Sequence, residues 1–271
     1  MWVRQNVLFR RFGTQVVLKK ALGQHLLKDE NVLRKLVKEA KIPEKGTVFE
    51  IGPGSGQLTK YLLQQCDHVV ALEKDRDMVA VLQQRFQREI QDSKLTLLEG
   101  DVLKDPLPAF DVCVANIPYY VSSQLIQRLI LSRHFTEEYL FLVQKEFCDK
   151  LIMDTRASNH DSTFLTVLVQ SYFRASKCFD VSRTCFVPPP KVTSSVLSLS
   201  PLYTREGEDA VSTKPEEYAQ FLRTLFRTKN KSFVKVLQTA YGKCADCNID
   251  PKRKVYQLSS EEYKALFNSY F

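Results

Sequence analysis

Several things are scarce in this chain of 271 residues, and each scarcity narrows what it can be. No apolar run approaches the length that crosses a bilayer, and no secretory signal pattern is present. The seven cysteines are scattered and odd in number, mostly in apolar strand or helix contexts. That usage fits reduced thiols in an intracellular protein and not a disulfide frame. Cys244 and Cys247 have the spacing of half a zinc site, but no second pair accompanies them, so no metal is expected. No glycine loop here carries the Lys-Ser/Thr that grips nucleotide phosphates. There is no internal repeat and no low-complexity tract. Acid is missing at the start: Arg4, Arg10, Arg11, Lys19 and Lys20 all precede Asp29, the first carboxylate.

What is present begins with size and charge. The length allows one sizeable core, or one core with a small appendage. The net charge of +8 is unevenly spread: residues 1–45 carry +7 and residues 215–271 carry +4, which leaves −3 between them. A slightly acidic body with basic ends suits a polyanionic partner better than a small metabolite.

The most informative residues are Asn116-Ile117-Pro118-Tyr119, directly after the apolar Val112-Cys113-Val114-Ala115. An Asn at the end of a buried strand can accept one hydrogen of a planar amine through its side-chain oxygen. The Ile117 carbonyl can accept the second, because Pro118 donates nothing. Tyr119 offers an aromatic face for a base to stack on. Upstream, Glu50-Ile51-Gly52-Pro53-Gly54-Ser55-Gly56 follows the apolar Thr47-Val48-Phe49 and precedes a helical pattern. Glycines there allow a tight turn and a close approach to a ligand. Strand His68–Leu72 ends in Glu73, about 20 residues past the first glycine, where an acid hydrogen-bonds a ribose diol. Strand Leu95–Leu98 ends in Glu99-Gly100-Asp101. Acids at two strand tips suit ribose hydroxyls and an adenine amine and repel phosphates. They favour S-adenosyl-L-methionine over a nucleotide di- or triphosphate.

Strand and helix alternate from Thr47 to about Ser200. The expected fold is α/β, a doubly wound, mostly parallel Rossmann-like sheet, with ligands beyond the carboxyl ends of its strands. Strands are expected near 47–51, 68–72, 95–98, 112–116 and 138–144, helices near 28–40, 75–90, 123–132 and 163–173. Phe179–Cys185 and Val192–Leu199 suit a closing antiparallel pair. Ser200–Pro215 reads as a hinge. Beyond it, Glu217–Thr239 and Ser259–Phe267 read as helices, with a basic face at Arg223, Arg227, Lys229, Lys231 and Lys235. The expected division is a catalytic region over 1–200 and a small helical, RNA-binding domain over 201–271.

Taken in order, these pieces resemble the ribosomal RNA small-subunit adenine dimethyltransferases, the KsgA-like group, from about Lys19 to Lys235. The resemblance is carried by Leu22-Gly23-Gln24-His25-Leu26-Leu27, the Gly52 loop, Glu73, Gly100-Asp101 and Asn116-Ile117-Pro118-Tyr119. Gln144-Lys145-Glu146-Phe147 and Phe186-Val187-Pro188-Pro189-Pro190-Lys191-Val192 complete it. It implies that Gln24, His25 and Leu27 close over the cofactor's methionine end and that Gly52 and Gly54 line the cofactor. Glu73 would bind its ribose and Asp101 its adenine. Asn116 and Tyr119 would hold the target base, with Phe186 stacked on the base's other side. His25, where bacterial members usually carry Asn, points to the eukaryotic branch, which works in the nucleolus on pre-ribosomes. The expected partner is small-subunit rRNA, met as a monomer, without a membrane. The acid-free start then reads as an RNA-contacting arm more readily than as a Ser-poor mitochondrial transit peptide. Rival readings are a DNA adenine methylase and a non-catalytic assembly or mitochondrial transcription factor. His68, His134 and His160 are expected to hold core or surface roles.

Overall fold

The computed structural model describes residues 7–11, 14–18, 24–133, 136–157, 161–203, 210–242 and 249–271, with backbone alone for 7–11, 14–18, 210 and 212. Leu22, Gly23, Lys19, Lys20, Arg4, His134, His160, Cys244 and Cys247 lie outside the described residues, and the side chains of Arg10 and Arg11 do also. The chain divides into two compact units. One comprises residues 1–125, 136–145 and 177–199, the other 126–135, 146–176 and 200–271.

The first unit opens with β1 (Val7–Arg11) and β2 (Thr14–Leu18), an antiparallel pair. After β3 (Leu26–Leu27), helix α1 (Glu30–Glu39) is started by Asp29, whose carboxylate accepts the amides of Asn31 and Val32. Its Leu33, Leu36 and Val37 turn one face to the core. Along the chain, through segments of both units, then come β4 (Thr47–Ile51), α2 (Thr59–Leu62), β5 (His68–Glu73), α3 (Arg76–Arg85), α4 (Gln87–Gln91), β6 (Leu95–Glu99), β7 (Val112–Asn116), α5 (Tyr119–Leu131), β8 (Glu138–Gln144), α6 (Lys145–Leu151), α7 (Phe164–Tyr172), β9 (Phe173–Val181), β10 (Phe186–Val187) and β11 (Ser194–Pro201).

A seven-stranded sheet has the order β6-β5-β4-β7-β8-β11-β9. Strands β4 to β8 pair in parallel, in a register that sets Val48 beside both Val69 and Val112. Strands β5, β7 and β8 read as near-continuous apolar runs, buried along almost their whole length, because helices cover both faces of such a sheet. Strand β11 pairs antiparallel with β8. The chain builds outward from β4 through β5 and β6, then restarts on the other side at β7. That reversal opens a crevice beyond the carboxyl ends of β4 and β7, the usual ligand position in a doubly wound sheet.

Two expectations shift. Strand β9 begins at Phe173, six residues earlier than Phe179, and Arg183–Cys185 is a 3₁₀ turn. The apolar run before Phe173 hid the change from helix to strand, since periodicity does not separate the two in a buried segment.

The second unit holds α7 with α8 (Ala210–Thr213), α9 (Pro215–Phe226), α10 (Phe233–Tyr241) and α11 (Ser260–Tyr270). Its core is aromatic: Tyr172, Tyr218, Phe221, Tyr263 and Phe267 are buried, with Tyr218 edge-on to Phe267 at 5.1 Å. The helix expected over Glu217–Thr239 is two helices. The turn between them is held by a bridge from Ser232 to Lys254, which draws the backbone out of the helical path. Helix α11 starts with a capping box between Ser259 and Glu262. Arg227, Lys231 and Lys235 stay exposed, with no ion pair among the described residues, while Lys229 pairs with Asp161 at 2.8 Å.

Candidate active site

The crevice holds a cavity of about 140 Å³. Gln24, His25, Gly52, Gly54, Glu73, Asp101, Asn116 and Tyr119, named far apart in the sequence, all line it. The glycine loop leaves β4 in left-handed conformations, with φ of 68° at Gly52 and 56° at Gly54. A Cβ at Gly54 would sit 2.9 Å from the Leu26 side chain. A Cβ at Gly52 would meet nothing within 4 Å, so the space beside it is open for a ligand.

Glu73 ends β5 and is nearly buried. Its two oxygens accept the amides of Gly54 at 3.0 Å and Asp75 at 2.8 Å. Burial pushes its carboxyl above the usual range, and those amides pull the other way. Each carboxylate oxygen has a second lone pair, so the diol of a ribose could still donate to it. Asp101 lies past β6. The Lys74 ammonium, 2.8 Å from its Oδ2, holds it below the usual carboxylate range, and its Oδ1 accepts the Leu103 amide at 3.0 Å.

Asn116, the last residue of β7, donates from Nδ2 to the carbonyl of His25 at 2.8 Å. That bond sets the orientation of the amide and leaves Oδ1 as its acceptor. His25 is itself tethered, its Nδ1 lying 2.7 Å from the carbonyl of Pro188, which a ring N–H reaches as donor. Its ring stacks on Tyr119 at 6.2 Å and 25° between planes. The Tyr119 hydroxyl is 2.8 Å from Ser194 Oγ on β11, so the ring is braced at both ends. One acceptor, one proline-backed carbonyl and one braced aromatic face therefore share a wall of the cavity.

Two expected residues stand elsewhere. Leu27 is 5% exposed and Phe186 is 2% exposed, both in the apolar core. They face each other in the register of β3 and β10 and do not line this cavity, although Leu27 borders a smaller adjoining one beside Gly52 and Asn116. The sequence pattern of Phe186 is equally that of a core aromatic, and burial of its large apolar area decides its position here.

Three neighbours were not foreseen. Lys74 follows Glu73 and could have been read as a partner for an acid on the next strand. Tyr120, 57% exposed, stands on the cavity rim. Glu50, only 1% exposed, borders a smaller adjoining cavity that also touches Gly52 and Asn116. Burial pushes the Glu50 carboxyl up to about 8, with Glu73 adding like charge, and its Oε2 makes no hydrogen bond among the described residues. Among those residues no group of three or more His, Cys, Asp or Glu could hold a metal, and no helix is long and apolar enough to cross a membrane.

The reversed strand order, the glycine loop after β4 and the Asn-Ile-Pro-Tyr segment at the end of β7 are those of a Rossmann-like methyltransferase fold. The sequence profile of the ribosomal RNA adenine dimethylases matches residues 16–271, and the chain belongs to that family. It is 40% identical over 215 residues to the mitochondrial ribosomal RNA small subunit methyltransferase of Arabidopsis thaliana, covering 79% of this chain and 54% of that one. It is 32% identical to ribosomal RNA small subunit methyltransferase A of Lactococcus lactis, covering 97% of this chain and 93% of that one. The chain thus spans somewhat over half the length of the Arabidopsis relatives it matches. A dimethyladenosine transferase from Plasmodium falciparum superposes with a TM-score of 0.74 at 28% identity, over 89% of this chain and 95% of that one. The 23S rRNA methyltransferase ErmE shares the fold, with a TM-score of 0.69 at 21% identity.

Proposed function

We propose that this chain transfers methyl groups from S-adenosyl-L-methionine to the N6 amine of two adjacent adenosines near the 3′ end of small-subunit rRNA. The observation that carries the reading is the Asn116 amide, turned by its bond to the His25 carbonyl so that Oδ1 is left to accept.

The residues suit the cofactor on chemical grounds. Glu73 and Asp101 match ribose hydroxyls and an adenine amine, the left-handed Gly52 leaves open space, and Gln24, His25 and Gly54 complete the wall. When bound, the cofactor supplies an electrophilic sulfonium methyl. The protein's task is then to aim a poor nucleophile, because the lone pair of an adenine amine is spread into its ring. Asn116 Oδ1 and the Ile117 carbonyl would take the two amine hydrogens, and Tyr119 would hold the ring by stacking. Positioning and fixed dipoles supply most of the acceleration. No dedicated base is needed, since the ammonium formed on transfer is acidic and loses its proton to water.

The target base must be unstacked or looped to enter. In this reading residues 1–200 carry methyl transfer and the basic arm, and 201–271 contact RNA through the face of Arg227, Lys231 and Lys235. Phe186 backs the wall through its pairing with Leu27; stacking on the base would require it to leave the core. We place the protein as a monomer on pre-ribosomal particles, in the nucleolus if the chain is of the eukaryotic cytoplasmic-ribosome branch. Mitochondrial or cytoplasmic action is the alternative outcome of localisation. The test is methyl incorporation from labelled cofactor into small-subunit particles and into duplex DNA, followed by mapping of dimethyladenosine. Labelling of DNA alone, or of neither, would overturn the reading.

A further inference from the structure

Helix α1 has two working faces. Leu33 and Leu36 border the small cavity beside the glycine loop, whereas Arg34, Lys38 and Lys41, at spacings of four and three residues, line a separate cavity of about 340 Å³. That volume lies in the range of ligand pockets, and no residue of this wall is shared with the cavity that holds Asn116. Tyr61, Gln64 and Gln65, at and after the end of α2, form the facing wall. No carboxylate lines the cavity.

Lys38 and Lys41 are exposed and have no ion pair among the described residues. Arg34 has one weak contact, to Glu30 at 3.6 Å, with both partners exposed, a pairing of little worth in water. Its guanidinium is instead set over the buried Tyr61 ring at 5.0 Å, which pre-orients a planar donor group that suits phosphate. Lys41 adopts φ of 45°, a conformation a lysine rarely takes, directly after the helix ends. Gln64 and Gln65 offer both donors and acceptors, as needed at a base edge. Cations, amides and an aromatic floor without acids describe a nucleotide within a polyanion better than an acidic peptide, which has no base for the amides to meet.

We infer that this cavity is a second RNA contact, which seats a phosphodiester and its attached base from an unpaired stretch of the substrate away from the target adenosine. The inference rests on the RNA-methylating reading of the first cavity. It would give the enzyme a grip on the fold of its substrate, independent of the base being methylated.

The test uses the full chain and a small-subunit rRNA fragment that contains the methylated loop, with binding measured between 50 and 200 mM salt. Lys38→Glu/Lys41→Glu is compared with Lys94→Glu/Lys150→Glu, which changes charge equally at exposed sites elsewhere. The cavity variant is expected to lose roughly tenfold or more in affinity and to show a salt slope shallower by about 0.7 to 0.9, as for one lost phosphate contact. The control variant should lose less than about threefold, and cofactor affinity should stay as in the native chain for both. A photo-crosslinking residue at Gln64 should tag the RNA. If Lys38→Glu/Lys41→Glu disturbs cofactor binding, Lys38→Gln/Lys41→Gln is read in its place. Equal losses in cavity and control variants, or no crosslink at Gln64, overturn the inference; so does capture of free AMP at the cavity with RNA affinity untouched. Native chain that methylates the fragment while the cavity variant binds it normally sinks this site alone. Native chain that neither binds nor methylates it sinks the functional reading as well.

Discussion

The side-chain amide of Asn116 is held by the backbone carbonyl of His25, 91 positions earlier, at 2.8 Å. The segment that enters β3 thus orients the residue that ends β7. Asn116→Ala removes both the acceptor and the anchor. Turnover should fall on the order of 10² to 10³, the range for loss of one preorganised hydrogen-bonding group, while cofactor affinity changes only a few-fold. Single-turnover methylation beside a cofactor titration measures the two; equal losses would remove Asn116 from the acceptor role.

Glu73 joins the glycine loop to the turn after β5 by accepting from Gly54 and Asp75. Glu73→Ala leaves two amides near the cavity without their acceptor and takes away the group assigned to the ribose. A lost buried hydrogen bond costs about 1–3 kcal/mol, so the cofactor dissociation constant should rise roughly five- to 160-fold. Calorimetric titration decides it, and an unchanged constant would exclude the ribose role.

Gly54 is the point where loop conformation and space are both tight. Gly54→Ala must hold φ of 56° with its Cβ 2.9 Å from Leu26. The left-handed conformation alone costs about 1–2 kcal/mol in a non-glycine residue. The variant should melt lower and bind cofactor more weakly. At Gly52 the added carbon meets no protein atom, so Gly52→Ala should lose proportionally more binding than stability. Thermal melts with and without cofactor would separate the pair, and identical profiles would contradict the geometry.

Glu50 makes stability depend on pH in a defined direction. Its carboxyl is pushed up to about 8 in the folded chain from an ordinary 4.5. Between those values the unfolded chain has released the proton and the folded chain still holds it. Stability from this group is therefore full at low pH and is lost as pH rises towards 8, on the order of 1.4 kcal/mol per pH unit. Glu50→Gln keeps a neutral side chain at every pH. Its melting temperature without cofactor should match the native chain's near pH 5 and exceed it near pH 8. Parallel curves across that range would show that Glu50 does not titrate there.

Much of the frame was legible in the sequence because it rests on local pattern. Apolar runs marked β4, β5, β7 and β8, the glycines marked the turn after β4, and acids marked two strand tips. The strand-to-ligand geometry of a doubly wound sheet then brings Gly52, Glu73, Asp101 and Asn116 together without further information. The exchange of helix for strand at Phe173 and the break between α9 and α10 were not legible, because tertiary pairing overrides local preference at both places.

The sequence by itself determined the class of fold, the edge of the sheet where the cavity opens and most of the residues that line it, since each follows from periodicity and from turn chemistry within a few positions. Only the tertiary structure decided that His25 clamps Asn116, that Leu27 and Phe186 face each other in the core, that Glu50 is buried and its carboxyl pushed up, and that Arg34, Lys38 and Lys41 share a cavity with Gln64. Those relations depend on distance, burial and dielectric between residues far apart in the chain, and such quantities exist only once the backbone has closed.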